Sequence, residues 1–384
     1  MRRRLRELSR IVRPTLVGIV VATLVVPSAA VAAGPPPVAA VVPPQLLGTF
    51  GGDSSLPHDL NNAGEVVGQA QAVDGQIHAF RWHRGVLTDL GVLGEYSSGN
   101  AINERGVVVG TSQYRAVMWR GDAMTVLVDR NESGSAGAWD INDRNEVIGV
   151  RYLPTSYMYG QGFLWRNGHA VDLPGIGGDT YPAKINNRGE IVGFVETGQG
   201  ATTNAALWRN GQLTVISPPG AIASLAHDIN ERGQVIGGMV TSSGTWHYFL
   251  WDDGVITDLG TLNTVGINNR GEIAGNPDGV ADALPVRWHR GRVTELPSLG
   301  GIGSKANAIN SVGAVAGYSG ASDGRHGVVW TRTGRIIDLG PLKYGTHSGS
   351  VWYLNDRGLV AGVLGAPGGG SQAAVWDTAV ADRR

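Results

Sequence analysis

After residue 32, short Val- and Ile-rich runs alternate with Gly, Asn and Asp clusters, and no apolar 3.6-residue period is sustained. Runs of β-branched and aromatic residues bounded by turn residues predict short strands joined by tight turns. One phrase keeps returning: an aliphatic residue, Asn, two loop residues, Gly, a short apolar run, a second Gly and later a Trp. Its Asn residues are Asn61, Asn103, Asn142, Asn186, Asn230, Asn268, Asn310 and Asn355, spaced by 38 to 45 residues. A sustained period near forty marks a repeat architecture, so one unit and its stacking account for the chain.

Each unit reads as four strands. Strand a ends at Ile-Asn, strand b is the Val-rich run, strand c ends at Trp, and strand d carries a Thr-Asp-Leu-Gly phrase. In Asn230-Glu231-Arg232-Gly233 the Asn side chain suits the first position of a type I turn, and Gly233 takes the left-handed conformation that closes the hairpin. Seven units have Gly there and the third has Asn145, the non-Gly residue that best tolerates positive φ. The second Gly (Gly68, Gly110, Gly149, Gly193, Gly237, Gly275, Gly317, Gly362) predicts a bulge or close backbone approach at strand b. Trp82, Trp119, Trp165, Trp208, Trp251, Trp288, Trp330 and Trp376 recur once per unit, as core packing between units would require.

Four antiparallel strands per unit define the blade of a β-propeller, so the fold class is all-β with eight four-stranded antiparallel blades. The last unit stops soon after Trp376 without a d phrase, whereas Leu46-Leu47-Gly48 is a d phrase without a blade. An N-terminal strand should therefore complete the last blade and close the ring. The domain reading is residues 1–32 leader, 33–44 Pro-rich linker and 45–380 propeller.

His78-Ala79-Phe80-Arg81-Trp82, echoed in His247-Tyr248-Phe249-Leu250-Trp251, combines with Ile-Asn-x-x-Gly and Asp-Leu-Gly over about residues 45–376. This pattern resembles the HAF-repeat family of extracellular proteins. The resemblance implies a bacterial secreted repeat protein and supplies no catalytic residues.

The N-terminus agrees with export. Arg2, Arg3, Arg4, Arg6, Arg10 and Arg13 precede an apolar stretch from Thr15 to Val26, then small residues with Ala30-Val31-Ala32 as a cleavage pattern. This twelve-residue, mostly apolar stretch falls short of the ~20 residues that span a bilayer. There is no Cys, so neither disulfides nor a lipidated Cys enter. Residues 1–32 hold six Arg and one Glu, leaving 25 basic against 31 acidic side chains, net -6. That balance, without a Lys/Arg run, argues against nucleic acid and anionic membrane surfaces. The expectation is a secreted monomer without stable membrane insertion.

Strand parity puts the short a–b and c–d turns on one face and the longer b–c and d–a connections on the other, where binding usually resides. Aromatics follow that division. Trp139, Trp246, Trp352, Tyr96, Tyr152, Tyr157, Tyr159, Tyr181 and Tyr344 all fall on the long-loop side. They suit stacking on an extracellular polysaccharide or anchoring an envelope protein, or else serve as lids over Gly-rich loops. A non-catalytic binding module is the leading expectation.

Two alternatives stand beside it. A polysaccharide hydrolase or lyase would draw an acid–base pair from Asp53, Glu95, Glu132, Asp179 and Glu196, though nothing in the sequence brings any two together. A structural surface protein would have no small ligand. Three His share the position four before Trp (His78, His247, His326), and His58 and His227 lie three before the repeat Asn. Recurrence makes these blade residues first, and no metal-ligand spacing or cofactor motif appears. Asp89, Asp172, Asp258 and Asp338 on strand d are expected to blunt the outer edges.

Overall fold

A computed structural model describes residues 19–20, 41–129, 134–152, 160–198, 202–344, 347–365 and 370–380. It shows eight four-stranded antiparallel blades. Blade 1 runs Gly51–Leu60, Glu65–Ala72, Ile77–His83 and Val86–Asp89 as strands a to d. Blades 2 to 7 occupy residues 97–128, 135–172, 180–216, 221–258, 262–295 and 304–341. Blade 8 has Ser350–Leu354, Leu359–Gly365 and Ser371–Asp377, and Gln45–Leu46 supplies its fourth strand. Gln45 pairs with Val375 and Leu46 with Ala374, so the expected N-terminal closure is present. Ile19 and Val20 pair in parallel with Ile256 and Thr257 at the outer edge of blade 5, beside a ring that is complete without them.

The repeat Asn does more than start a turn. Its side-chain oxygen accepts backbone N–H groups from within the a–b turn, as Asn230 does from Arg232 and Gln234 at 3.0 Å each. Its amide then donates to the backbone oxygen of the next repeat Asn. Eight such bonds of 2.9–3.1 Å run from blade to blade, and Asn355 returns to Asn61 across 294 residues to close the circle. The third residue after each of these Asn has positive φ in all eight turns, Asn145 included at 60°.

The second Gly answers to a bulge in strand a. Each strand a shifts register between the fourth and second residues before the repeat Asn, as between Pro182 and Lys184. The shift presses a strand a carbonyl onto the Gly. A Cβ at Gly68, Gly110 or Gly193 would meet that oxygen at 1.9 Å. A side chain there is excluded by backbone, as the spacing predicted.

Hydrophobic packing lies between blades. Val67, Ala79 and Leu90 of blade 1 cluster with Ile102, Val117 and Trp119 of blade 2, and equivalent clusters fill the other interfaces. The recurring Trp is the largest member. Trp208 and Trp330 also donate to Pro174 and Pro297 of the preceding blade at 2.8 and 2.6 Å. These rings therefore form core between units.

The strand d Asp is not a bare edge charge, which corrects the expectation from sequence. His78, His247 and His326 lie 2.7, 3.0 and 2.9 Å from Asp89, Asp258 and Asp338. The same Asp residues accept the N–H two residues on, from Gly91, Gly260 and Gly340, at 2.7 Å. Asp172 pairs with Arg151 instead. The His of the repeat phrase and the Asp of the Asp-Leu-Gly phrase thus tie strand c to strand d.

Candidate functional site

Two sets of side chains stand apart from the repeat's own framework. The first is aromatic and joins strand a of blade 3 to strands a and b of blade 4. Trp139 is the extra residue of its strand a bulge, and Tyr181 lies on strand a of the next blade. The two rings stack with centroids 6.3 Å apart and planes 12° apart, and Tyr181 stacks on Phe194 at 4.8 Å. All three are half-buried. The Tyr181 hydroxyl donates to Asp179 at 3.1 Å, and Asp179, itself buried, also accepts the Gly160 N–H at 3.1 Å. Burial, then the Asp179 hydrogen bond and the charges of Asp179 and Glu196, holds the phenol well above its ordinary pKa, so it stays a donor at neutral pH.

The remaining sequence-nominated residues are dispersed. Tyr152 ends strand b of blade 3. Trp246, 49% exposed, begins strand c of blade 5, where its ring lies across Gly238. Trp352 is half-buried on strand a of blade 8. Tyr96 lies beside blade 2 and donates to Gln69 at 3.2 Å. Tyr344 sits in a two-residue strand, Lys343–Tyr344, paired with His347–Ser348. Tyr157, Tyr159 and Glu132 lie outside the described residues. Of the five carboxylates considered, the fold brings Asp179 and Glu196 together, and the Glu196 N–H donates to the Asp179 carbonyl at 3.0 Å. Asp53 and Glu95 are exposed on blades 1 and 2.

The second set is the innermost ring of charge, two residues before the repeat Asn: Asp59, Asp140, Lys184 and Asp228, with Tyr353 in blade 8. Lys184 lies 3.7 Å from Asp140, and its side chain keeps half its surface open although protein surrounds it, as befits the lining of an axial channel. The Asp140 charge, then those of Asp59 and Asp228, raises the lysine pKa against the effect of burial. Burial pushes Asp59 up to about 6 and Asp228 upward, while Lys184 and backbone N–H donors oppose this. Burial also takes Tyr353 to about 12. Beside this ring, His58 lies 3.1 Å from the Gly99 carbonyl and His227 lies 3.2 Å from the Thr264 hydroxyl. Burial lowers both imidazoles, His227 to about 4.

Sequence reasoning missed this ring. Its signal was Asp, Ala, Asp, Lys, Asp, Gly, Ala and Tyr at one repeat position, where a framework residue would recur. Among the described residues no three His, Cys, Asp or Glu side chains gather as a metal site, and no helix is long and apolar enough to cross a membrane.

No protein-family model matches this chain. No curated protein matches it either. Among solved structures it is similar to a puromycin-hydrolysing peptidase from Mycobacterium tuberculosis, at 13% identity over 86% of this chain, with TM-score 0.49. The chain spans 61% of that peptidase's length. It is also similar to the β-propeller domain of the Trilobed protease from Pyrococcus furiosus, which has an open velcro topology: 8% identity, 79% of this chain, 97% of that one, TM-score 0.48. A gluconolactonase from Xanthomonas campestris matches at 12% identity over 90% of this chain and 98% of that one, TM-score 0.37. Likenesses this distant carry no argument about chemistry.

Proposed function

We propose that this chain is an exported, ligand-binding β-propeller of HAF-repeat type whose long-loop face takes an extracellular glycan. The observation that carries this reading is the Trp139–Tyr181–Phe194 file. Aromatic faces suit the apolar faces of sugar rings, and the buried Asp179 beside the Tyr181 hydroxyl adds an acceptor for sugar hydroxyls. The framework does not demand these residues, because the Trp139 position holds His58, Asn100, Ala183, His227, Val265, Asn307 and Trp352 in other blades. The test is binding of the purified protein to an array of bacterial and plant polysaccharides. Trp139→Ala and Tyr181→Ala should each weaken a specific hit roughly tenfold, about the value of one lost aromatic contact. Specific binding untouched by both substitutions would place the site elsewhere.

Asp179 and Glu196 support a second reading, hydrolysis or elimination on a bound glycan, because they are the candidate carboxylates the fold assembles beside that file. Reducing-end release from an array hit, abolished in Glu196→Gln with binding retained, would favour it. Binding without turnover in the unmodified protein would remove it.

A further inference from the structure

The opposite face, where the short turns lie, carries a cluster the repeat explains only in part, since Arg270–Glu272 recurs as Arg144–Glu146 and Arg188–Glu190. Strand c of most blades has an aliphatic residue or Met just before its Trp, but blade 6 has Arg287. Arg287 is half-buried and donates to the carbonyls of Gly313 and Arg332 at 2.8 and 2.7 Å, which fixes its guanidinium between blades 6 and 7. Arg332 and Arg270 converge on the same buried carboxylate, Glu272, at 3.7 and 3.0 Å. Two guanidiniums thus reach one carboxylate, and Arg287 and Arg292 line the same cavity of about 360 Å³. Blade 1 sets one Arg, Arg81, against one carboxylate, Glu65, at 3.9 Å.

The cluster is short of acceptors. The Arg270 Nη2 donor beside it is buried without a hydrogen-bond partner, and the cavity lining holds three Arg against the single carboxylate of Glu272. Burial, with the repulsion of Arg332 and Arg270, lowers the Arg287 pKa, while Glu272 opposes the shift. Buried donors without acceptors and cations without enough counter-charge each cost free energy that an entering anion would recover.

We propose that this cavity binds an oxyanion, a phosphate or sulfate group, held by Arg287, Arg292 and Arg332. Planar guanidiniums match such groups with paired N–H donors. Glu272 limits affinity, since it already occupies part of the donor set. The site lies in blades 6 and 7, away from the aromatic file of blades 3 and 4, and does not depend on the glycan reading.

The test is titration of the purified protein with inorganic sulfate and inorganic phosphate by calorimetry, at low ionic strength. One saturable site with an affinity on the order of millimolar is expected. Arg332→Ala and Arg292→Ala, both at exposed side chains, should weaken it roughly tenfold. Glu272→Gln should tighten it about threefold or more, a gain no unfolded variant can mimic. That substitution suits the repeat, because blade 5 has Gln234 at the equivalent place, accepting from Asn230 at 2.8 Å. Dextran sulfate that competes with inorganic sulfate would mark the natural group as borne on a polymer; a free ion at the site would leave it a poor competitor. Absence of saturable binding, or binding that none of these variants changes, overturns the proposal.

Discussion

One amide side chain per blade both shapes a hairpin and joins it to its neighbour. Asn230 accepts two backbone N–H groups, donates to Gln234 at 2.8 Å and reaches the Asn268 carbonyl at 2.9 Å, all while buried. Asn230→Ala leaves those groups unpaired and should cost roughly 2–4 kcal/mol. Asn269→Ala, at an exposed position that accepts only the Glu231 N–H, should cost under about 1 kcal/mol. Chemical denaturation of the pair checks the contrast, and equal losses would contradict it. The channel residues set a pH dependence in which two effects oppose. Asp59 has a folded pKa of about 6, above its ordinary 3.8, so its contribution is full below pH 4 and is lost as pH rises to 6. His227 has a folded pKa of about 4, below 6.5, so its contribution is present above pH 6.5 and is lost as pH falls to 4. Each is worth on the order of 1–2 kcal/mol once solvent screening is allowed for. Across pH 4–6.5, Asp59→Asn should therefore make stability climb more steeply with pH, and His227→Gln should tilt it downward. Melting temperatures through that window decide it; parallel curves for the two variants would refute both assignments.

At the scale of the blade, the bulge in strand a governs what is tolerated on strand b. The carbonyl of Tyr181 occupies the space of a Cβ at Gly193, 1.9 Å away, whereas at Gly275 the nearest backbone atom, the Asn263 oxygen, is 2.9 Å away. Gly193→Ala should cost about 3 kcal/mol or more, since backbone must move, and Gly275→Ala clearly less. Comparable costs would mean that the bulge is not the cause. This bulge also explains why the strands, the turns and the eightfold ring were legible while the channel was not. Asn, Gly and Trp act through local turn chemistry or recurring packing, so each repetition reinforced the same reading. The channel depends on which way a side chain faces, and a one-residue register shift beside Asp59, Asp140, Lys184 and Asp228 inverts the simple alternation. The aromatic file was half legible for a similar reason. Trp139 and Tyr181 were marked by type, but only the packing of blade 3 on blade 4 stacks them, and Phe194 carried no separate signal. The arginine cluster likewise joins residues of two blades, Arg270, Arg287 and Arg292 with Arg332, that sequence parity never relates.

For the molecule as a whole, the joint between blades 8 and 1 is the one interface whose two sides come from opposite ends of the chain. It is held in three layers. Asn355 donates to the Asn61 carbonyl at 3.0 Å on the innermost strand. Ser55 accepts the Ala373 N–H at 2.9 Å farther out, and Leu47 donates to the Ala373 carbonyl at 2.8 Å on the strand that completes blade 8. Leu47 is buried among Val66, Phe80, Trp82 and Val375, and Val42 is buried among Leu339, Val351 and Trp376. Burying two aliphatic side chains is worth roughly 3–6 kcal/mol in total, and the added strand satisfies backbone groups that blade 8 would otherwise expose at an edge. Leu47→Ala should cost about 2–4 kcal/mol by cavity formation, but its effect should not be evenly spread. Hydrogen exchange should quicken first in Ser371–Asp377 and Gly51–Leu60, while blades 3 to 6, held by neighbours contiguous in sequence, keep their protection. If Leu47→Ala instead loosened all eight blades equally, the ring would unfold as one cooperative unit, and the N-terminal strand would contribute to overall stability without being its weakest seam.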